Sequence, residues 1–141
     1  MGPILFQLPP RWHLDLDRLT AFLEALPPYH RYSFEFRDPT WHVLEVYELL
    51  RRHNIAFCIF ELAGFQSPVE LTADFTYVRL HGPGGAYRGD YQRRSLDAWA
   101  RRVCGWASEL KHAYVYFDND EAAFAAHNAL ELKEIVKTCE V

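Results

Sequence analysis

Five short apolar runs, each closing on polar or charged residues and separated by stretches too long for hairpins, constrain this chain more than any other feature. They cover residues 4–8, 32–37, 55–60, 75–80 and 113–117. Pro9-Pro10 ends the first, since proline cannot continue a ladder. Between the runs lie helical patterns. Leu16, Leu19, Phe22, Leu23 and Leu26 form one stripe over about 15–26, stopped by Pro27-Pro28. Asp38 reads as an N-cap with Pro39 at the first helical position, opening a helix that runs to about residue 52. Arg51, Arg52 and His53 sit where its negative pole favours cations, and Asn54 is placed to end it. Residues 61–74, with Pro68, hold at most one short helical turn. Leu96, Trp99, Ala100, Val103, Trp106, Ala107 and Leu110 give the clearest amphipathic helix, and Asp118-Asn119-Asp120 caps a last helix over about 121–137. Strand–helix alternation of this kind predicts a parallel α/β sheet.

A length of 141 residues suits a single domain spanning 1–141. Half the residues are hydrophobic, which excludes a disordered chain. Lys and Arg total 15 against 19 Asp and Glu, so neither nucleic acid nor an anionic membrane is an expected partner. Arg93, Arg94, Arg101 and Arg102 make the one local basic patch. Cys58, Cys104 and Cys139 are odd in number and far apart; they match no zinc spacing and fit a reducing cytoplasm. No apolar run approaches the roughly 20 residues of a membrane span, and no signal peptide opens the chain.

Two architectures suit the element order. A five-stranded doubly wound sheet closes the account at this length. A (β/α)8 barrel needs about 250 residues, so this chain would be part of one. Strand chemistry favours the partial barrel. Residues i and i+2 share a strand face, which puts Ser33, Glu35 and Arg37 together, and likewise Tyr77, Arg79 and His81. Charges under a helix layer cost several kcal/mol unless paired, whereas the upper lumen of a barrel tolerates them.

Those residues lie at C-terminal strand ends, where both kinds of α/β protein place their sites. Gln7, Glu61, Asp118 and Asn119 finish the other strands. Glu35 is the candidate acid or base, with burial raising its pKa and Arg79 lowering it again. His81 is a candidate proton carrier near neutrality. Arg37 and Arg79 offer forks that fit a carboxylate or phosphate. The bland alternative is a salt-bridge layer that only holds strands together. Gly82-Pro83-Gly84-Gly85 lets backbone approach a ligand but spells no phosphate or dinucleotide fingerprint, so no cofactor is expected. Glu35, His81 and Asp118 could together face a divalent ion, yet nothing in their spacing demands a metal. Cys58 reads as a core residue. Tyr87 and Tyr91 read equally as pocket lids or as staples at a helix start.

Four motifs carry a resemblance. They are Gly2-Pro3-Ile4-Leu5-Phe6-Gln7-Leu8-Pro9-Pro10, then Phe34-Glu35-Phe36-Arg37-Asp38-Pro39-Thr40-Trp41. Tyr77-Val78-Arg79-Leu80-His81-Gly82 with Tyr87-Arg88-Gly89-Asp90-Tyr91 follows, and Tyr114-Val115-Tyr116-Phe117-Asp118-Asn119-Asp120 with Asn128-Ala129 closes the series. In this order they resemble the DUF72, or YecE-like, family along nearly the whole chain. The resemblance implies a TIM-like barrel whose strands four to eight are present here, the first three βα units having no counterpart. Asp118 stands where the family usually has Asn, and Asp38 where it often has His. By motif, the implied pocket residues are Gln7, Glu35, Arg37, Arg79, His81, Tyr87, Tyr91 and Asn119. The family has no settled reaction. The expectation is an anionic or polyhydroxylated small-molecule ligand, with Glu35 and His81 moving protons in a hydrolase- or isomerase-like step and the other six residues binding. The rival expectation is a non-catalytic structural or binding domain. A partial barrel leaves two unpaired edges, so a homodimer or a missing N-terminal segment is the expected protein partner.

Overall fold

The apolar runs become strands because β-branched and aromatic side chains suit a pleated surface, and the stripes between them become helices that cover one side of it. The computed structural model describes residues 1–139. Chain order is β1 (Ile4–Leu8), α1 (Leu16–Ala25), β2 (Tyr32–Phe36), a 3-10 turn (Pro39–Trp41), α2 (Leu44–Arg52), β3 (Ala56–Leu62), β4 (Phe65–Gln66), β5 (Phe75–Leu80), α3 (Arg93–Trp106), β6 (His112–Phe117), a second 3-10 turn (Glu121–Ala123) and α4 (Phe124–Lys137). The sheet runs β1-β2-β3-β5-β6, and every pairing along that path is parallel; β4 folds back antiparallel on β3. Strand order follows chain order without reversal. That is the one-way winding of a barrel, lacking the switch point of a doubly wound sheet. Among the described residues β1 and β6 do not pair, so the sheet is open.

Alternation along the strands makes two unlike faces. Phe34, Phe36, Phe57, Ile59, Val78 and Leu80 point to the convex side, where they join Leu19 and Leu23 of α1, Val46 and Leu50 of α2, Leu96 and Trp99 of α3 and Leu132 of α4 in one core. Each such side chain contributes roughly 1.5–3 kcal/mol on leaving water. The concave side carries a small cluster of Ala56, Cys58, Phe75 and Tyr77, with Leu5 and Tyr114 against it. Curvature is enough for Arg31, just before β2, to reach Tyr114 on β6 (2.8 Å).

Local structure departs from the sequence reading in three places. Asp38 does cap a turn, accepting from Thr40 N at 3.0 Å, but no continuous helix follows. Trp41 is drawn into the core against Phe36, its Nε1 donating to Trp12 O, and Val43 is extended, so α2 starts only at Leu44. After β3 the chain turns through left-handed Ala63 and Gly64 into β4 where at most a helical turn was expected. Left-handed Ala122 and Ala123 likewise delay α4 to Phe124.

Cys104 on α3 and Cys139 beyond α4 form a disulfide, their Cα atoms 6.1 Å apart, and Cys58 alone is free. Disulfides persist in oxidising surroundings, so cysteine usage no longer argues for a reducing compartment. Among the described residues no helix is long and apolar enough to cross a membrane.

Candidate functional site

Parallel register brings the polar strand ends together on the concave side. Gln7 of β1 lies opposite Glu35 of β2, and Arg79 of β5 opposite Tyr116 of β6. Glu35 is fully buried. Its Oε1 accepts from Arg37 Nε, and its Oε2 accepts from Arg79 Nη1 at 2.8 Å. Arg79 also donates to Gln7 Oε1 (3.0 Å) and, through Nη2, to Asp118 Oδ2 (2.6 Å). Arg37 lies over the Phe60 ring at 5.4 Å. The His81 ring is buried between the two carboxylates. Nε2 is 3.7 Å from Glu35, and Nδ1 is 3.1 Å from Asp118 but too poorly angled for a hydrogen bond.

Electrostatics follow from this packing. Burial pushes the Glu35 pKa up, but contact with His81, the Arg37 hydrogen bond and the charges of Arg37 and Arg79 outweigh it and hold the carboxyl down at about 2. Glu35 is therefore an anion throughout the neutral range. Both guanidiniums lose to burial and gain more from Glu35, so their pKa values are raised. Beneath them Cys58 Sγ is 3.7 Å from Glu35 Oε2; burial first, then the Glu35 charge, pushes its thiol pKa well up, which makes it inert as a nucleophile.

The loop after β5 places the remaining groups. Gly82 has φ +109°, and a Cβ there would lie 2.2 Å from Arg88 O, so only glycine lets the two loop arms pass. Gly82 N donates to Tyr91 Oη (3.1 Å), and Tyr87 N donates to His81 O (2.6 Å). The Tyr87 ring meets His81 edge-on at 5.3 Å and stays half exposed. Asn119 Nδ2 donates to Gly89 O and to Asn128 Oδ1, each at 2.8 Å. Asn128 on α4 in turn accepts from Tyr91 N and donates to Asp90.

Of the eight residues expected in the pocket, six converge: Gln7, Glu35, Arg37, Arg79, His81 and Tyr87. Tyr91 and Asn119 are buried behind them, where they pin the glycine loop to α4. Glu61 turns away and accepts from Trp99 Nε1 at 3.1 Å. Asp118, which the sequence offers as a polar strand end, a helix cap or a metal ligand and not as a binding residue, is hydrogen-bonded to Arg79 and lies 3.1 Å from His81 Nδ1. The signal in the sequence is its place at the C-terminal end of a strand; that this strand lies beside β5 comes from the fold. Among the described residues no group of three His, Cys, Asp or Glu is placed to hold a metal ion.

No curated protein matches the chain. Its fold is shared with a DUF72 family protein from Thermotoga maritima, with 27% identity and a TM-score of 0.84 over 94% of this chain and 56% of that one. Two structures of a DUF72 family protein from Enterococcus faecalis show the same fold at 16% and 18% identity, with TM-scores of 0.80 and 0.77. They are covered over 58% and 61% of their length by 96% of this chain. The chain thus spans little more than half the length of these structures. Residues 1–140 match the family model described as protein of unknown function DUF72, and the chain belongs to that family.

Proposed function

We propose that the concave rim binds a small molecule bearing a carboxylate or phosphate on a polyhydroxylated frame. The observation that carries this reading is the convergence of Arg37 and Arg79 on one buried carboxylate, with Gln7 and the half-exposed Tyr87 at the margin. Guanidinium forks match planar oxyanions two-pronged. A ligand anion that engaged Arg79 would draw it from Glu35. Less stabilised as an anion, Glu35 would then hold a proton more readily, and His81 beside it would receive or return that proton. A hydrolase- or isomerase-like step would use the pair in this way.

Thermal shift against sugar phosphates and sugar acids tests the proposal. Stabilisation by one of them, lost in Arg79→Ala and weakened in Gln7→Ala, is the expected result. The charge balance favours a second reading: two arginines and two carboxylates cancel, as in a structural ion-pair layer. On that reading no ligand shifts the melting temperature, while Glu35 and Arg79 substitutions still lower it.

A further inference from the structure

Backbone contacts hold His81 and Asp118 at one corner of the sheet. His81 N donates to Glu61 O (2.9 Å), and its carbonyl accepts from Tyr87 N. Asp118 N donates to Leu80 O (2.9 Å), which sets the end of β6 beside the same corner, and Arg79 Nη2 holds Asp118 Oδ2 at 2.6 Å. The imidazole between them is wholly buried. Its Nε2 lies 3.4 Å from Arg37 Nη2 and 3.7 Å from Glu35 Oε1. Its Nδ1 lies 3.1 Å from Asp118 Oδ2, and the Tyr87 ring closes one side edge-on.

A neutral imidazole carries one N–H and one lone pair, and its neighbours decide which nitrogen has which. A guanidinium only donates, so Nε2 facing Arg37 accepts. A carboxylate only accepts, so Nδ1 facing Asp118 carries the hydrogen. The angle there falls short of a hydrogen bond, but the N–H dipole is still drawn to the anion. The opposite tautomer would press N–H against N–H at Arg37 and a lone pair against the carboxylate at Asp118. Its one gain would be donation from Nε2 towards Glu35. We infer that neutral His81 is the Nδ1–H tautomer, with Asp118 as its positioning residue, and that the Nε2 lone pair is the base of the site. The direction of proton flow this gives rests on the anion-binding reading above. In the free chain Arg37 covers Nε2. A ligand oxyanion that drew Arg37 away would leave the lone pair open to take a proton from the ligand. The imidazolium would then lie between two carboxylates, Asp118 at Nδ1 and Glu35 at Nε2, and would pass the Nε2 proton on to Glu35 Oε1.

Long-range proton–nitrogen NMR on the ligand-free chain, with nitrogen-labelled histidines, reads both ring nitrogens directly. His81 is recognised among the seven histidines by its contact with the Tyr87 ring. In a pH series up to about 9, the neutral ring should show a pyrrole-like Nδ1 and a pyridine-like Nε2, with the Nδ1–H form favoured roughly tenfold or more. Histidine free in water prefers the other tautomer, so the expected spectrum is not the default. Asp118→Leu should let the Nε2–H form, donating to Glu35, compete and lower that ratio several-fold. Asp118→Asn, whose amide oxygen still accepts, should restore it. An Nε2–H ring in the unmodified chain overturns the inference without any substitution, and so does a ring that stays doubly protonated to the top of the series. An Asp118→Leu spectrum identical to the original removes the positioning role. No ligand enters these measurements, so they fail separately from the thermal-shift screen: a screen without hits sinks the anion-binding reading while an Nδ1–H ring upholds the tautomer, and a stabilising ligand with an Nε2–H ring does the reverse.

Discussion

The two faces of the sheet are built from alternate residues of the same strands, yet they depend on different physics. On the convex face Phe34, Phe36, Phe57, Ile59, Val78 and Leu80 are buried against four helices, and each contributes through area alone. On the concave face Glu35, Arg37, Arg79 and His81 are buried or nearly so, and each depends on a named partner. A non-directional core tolerates swaps that keep volume, whereas an ion-pair cluster fails when one member goes. The contrast shows why charges can sit mid-sheet here: only the concave face has neighbours of opposite sign within reach.

The largest expected effect is on the convex side. Phe57→Ala removes a fully buried ring that touches Phe36, His42 and Tyr47. It should cost about 3–5 kcal/mol in urea unfolding, and Phe57→Leu should cost much less. On the concave side Arg79→Ala leaves Glu35 with one guanidinium, Arg37, and takes from Asp118 its arginine partner. About 3 kcal/mol is expected, the lower end of the range for breaking a buried pair, because Arg79 is partly open to water. No volume-matched apolar residue should rescue it, and rescue by methionine would erase the distinction between the faces.

Acid sharpens the same comparison. Glu35 has a folded pKa near 2, below the usual carboxylate value of 4.5, so its contribution is present in full above about 4.5 and vanishes as pH falls through 2. The amount is on the order of 3 kcal/mol, from the size of that shift. Unfolding free energy followed from pH 5 to pH 2 should fall in the unmodified chain and stay flatter in Glu35→Gln. Phe57→Ala should start lower and keep the original slope. A Glu35→Gln profile parallel to that of the unmodified chain would show that the cluster does not hold the carboxyl as an anion.

Strand faces were legible because a period of two is imposed by the backbone itself: Glu35 with Arg37 and Arg79 with His81 follow from counting. The partnership of Asp118 with both Arg79 and His81 was not, since it depends on β6 lying beside β5 in one register. Tyr91 and Asn119 sit in the right segments, but their direction is decided by Asn128 on α4, which no local pattern announces. The Cys104–Cys139 bond joins residues 35 apart and requires α3 against α4, so spacing alone could not suggest it. Helix starts at 44 and 124 were displaced by tertiary demands, Trp41 seeking the core and two alanines adopting left-handed backbone.

The smallest effect separates the faces most finely. Each face buries one hydroxyl that finds no protein partner among the described residues, Thr76 on the convex side and Ser33 on the concave side. Thr76 lies on β5 next to Val78, within an apolar layer, so its hydroxyl carries a desolvation cost with nothing to offset it. Val has the same shape without the oxygen, and Thr76→Val should stabilise by about 1 kcal/mol. Ser33 is two residues before Glu35 on the polar face. There a bridging water between polar groups can satisfy a hydroxyl, so Ser33→Ala should be neutral or mildly destabilising. Paired urea titrations decide it. Equal stabilisation by both changes would mean that the concave face is as dry below its rim as the convex core, and that its charges rest on ion pairing alone.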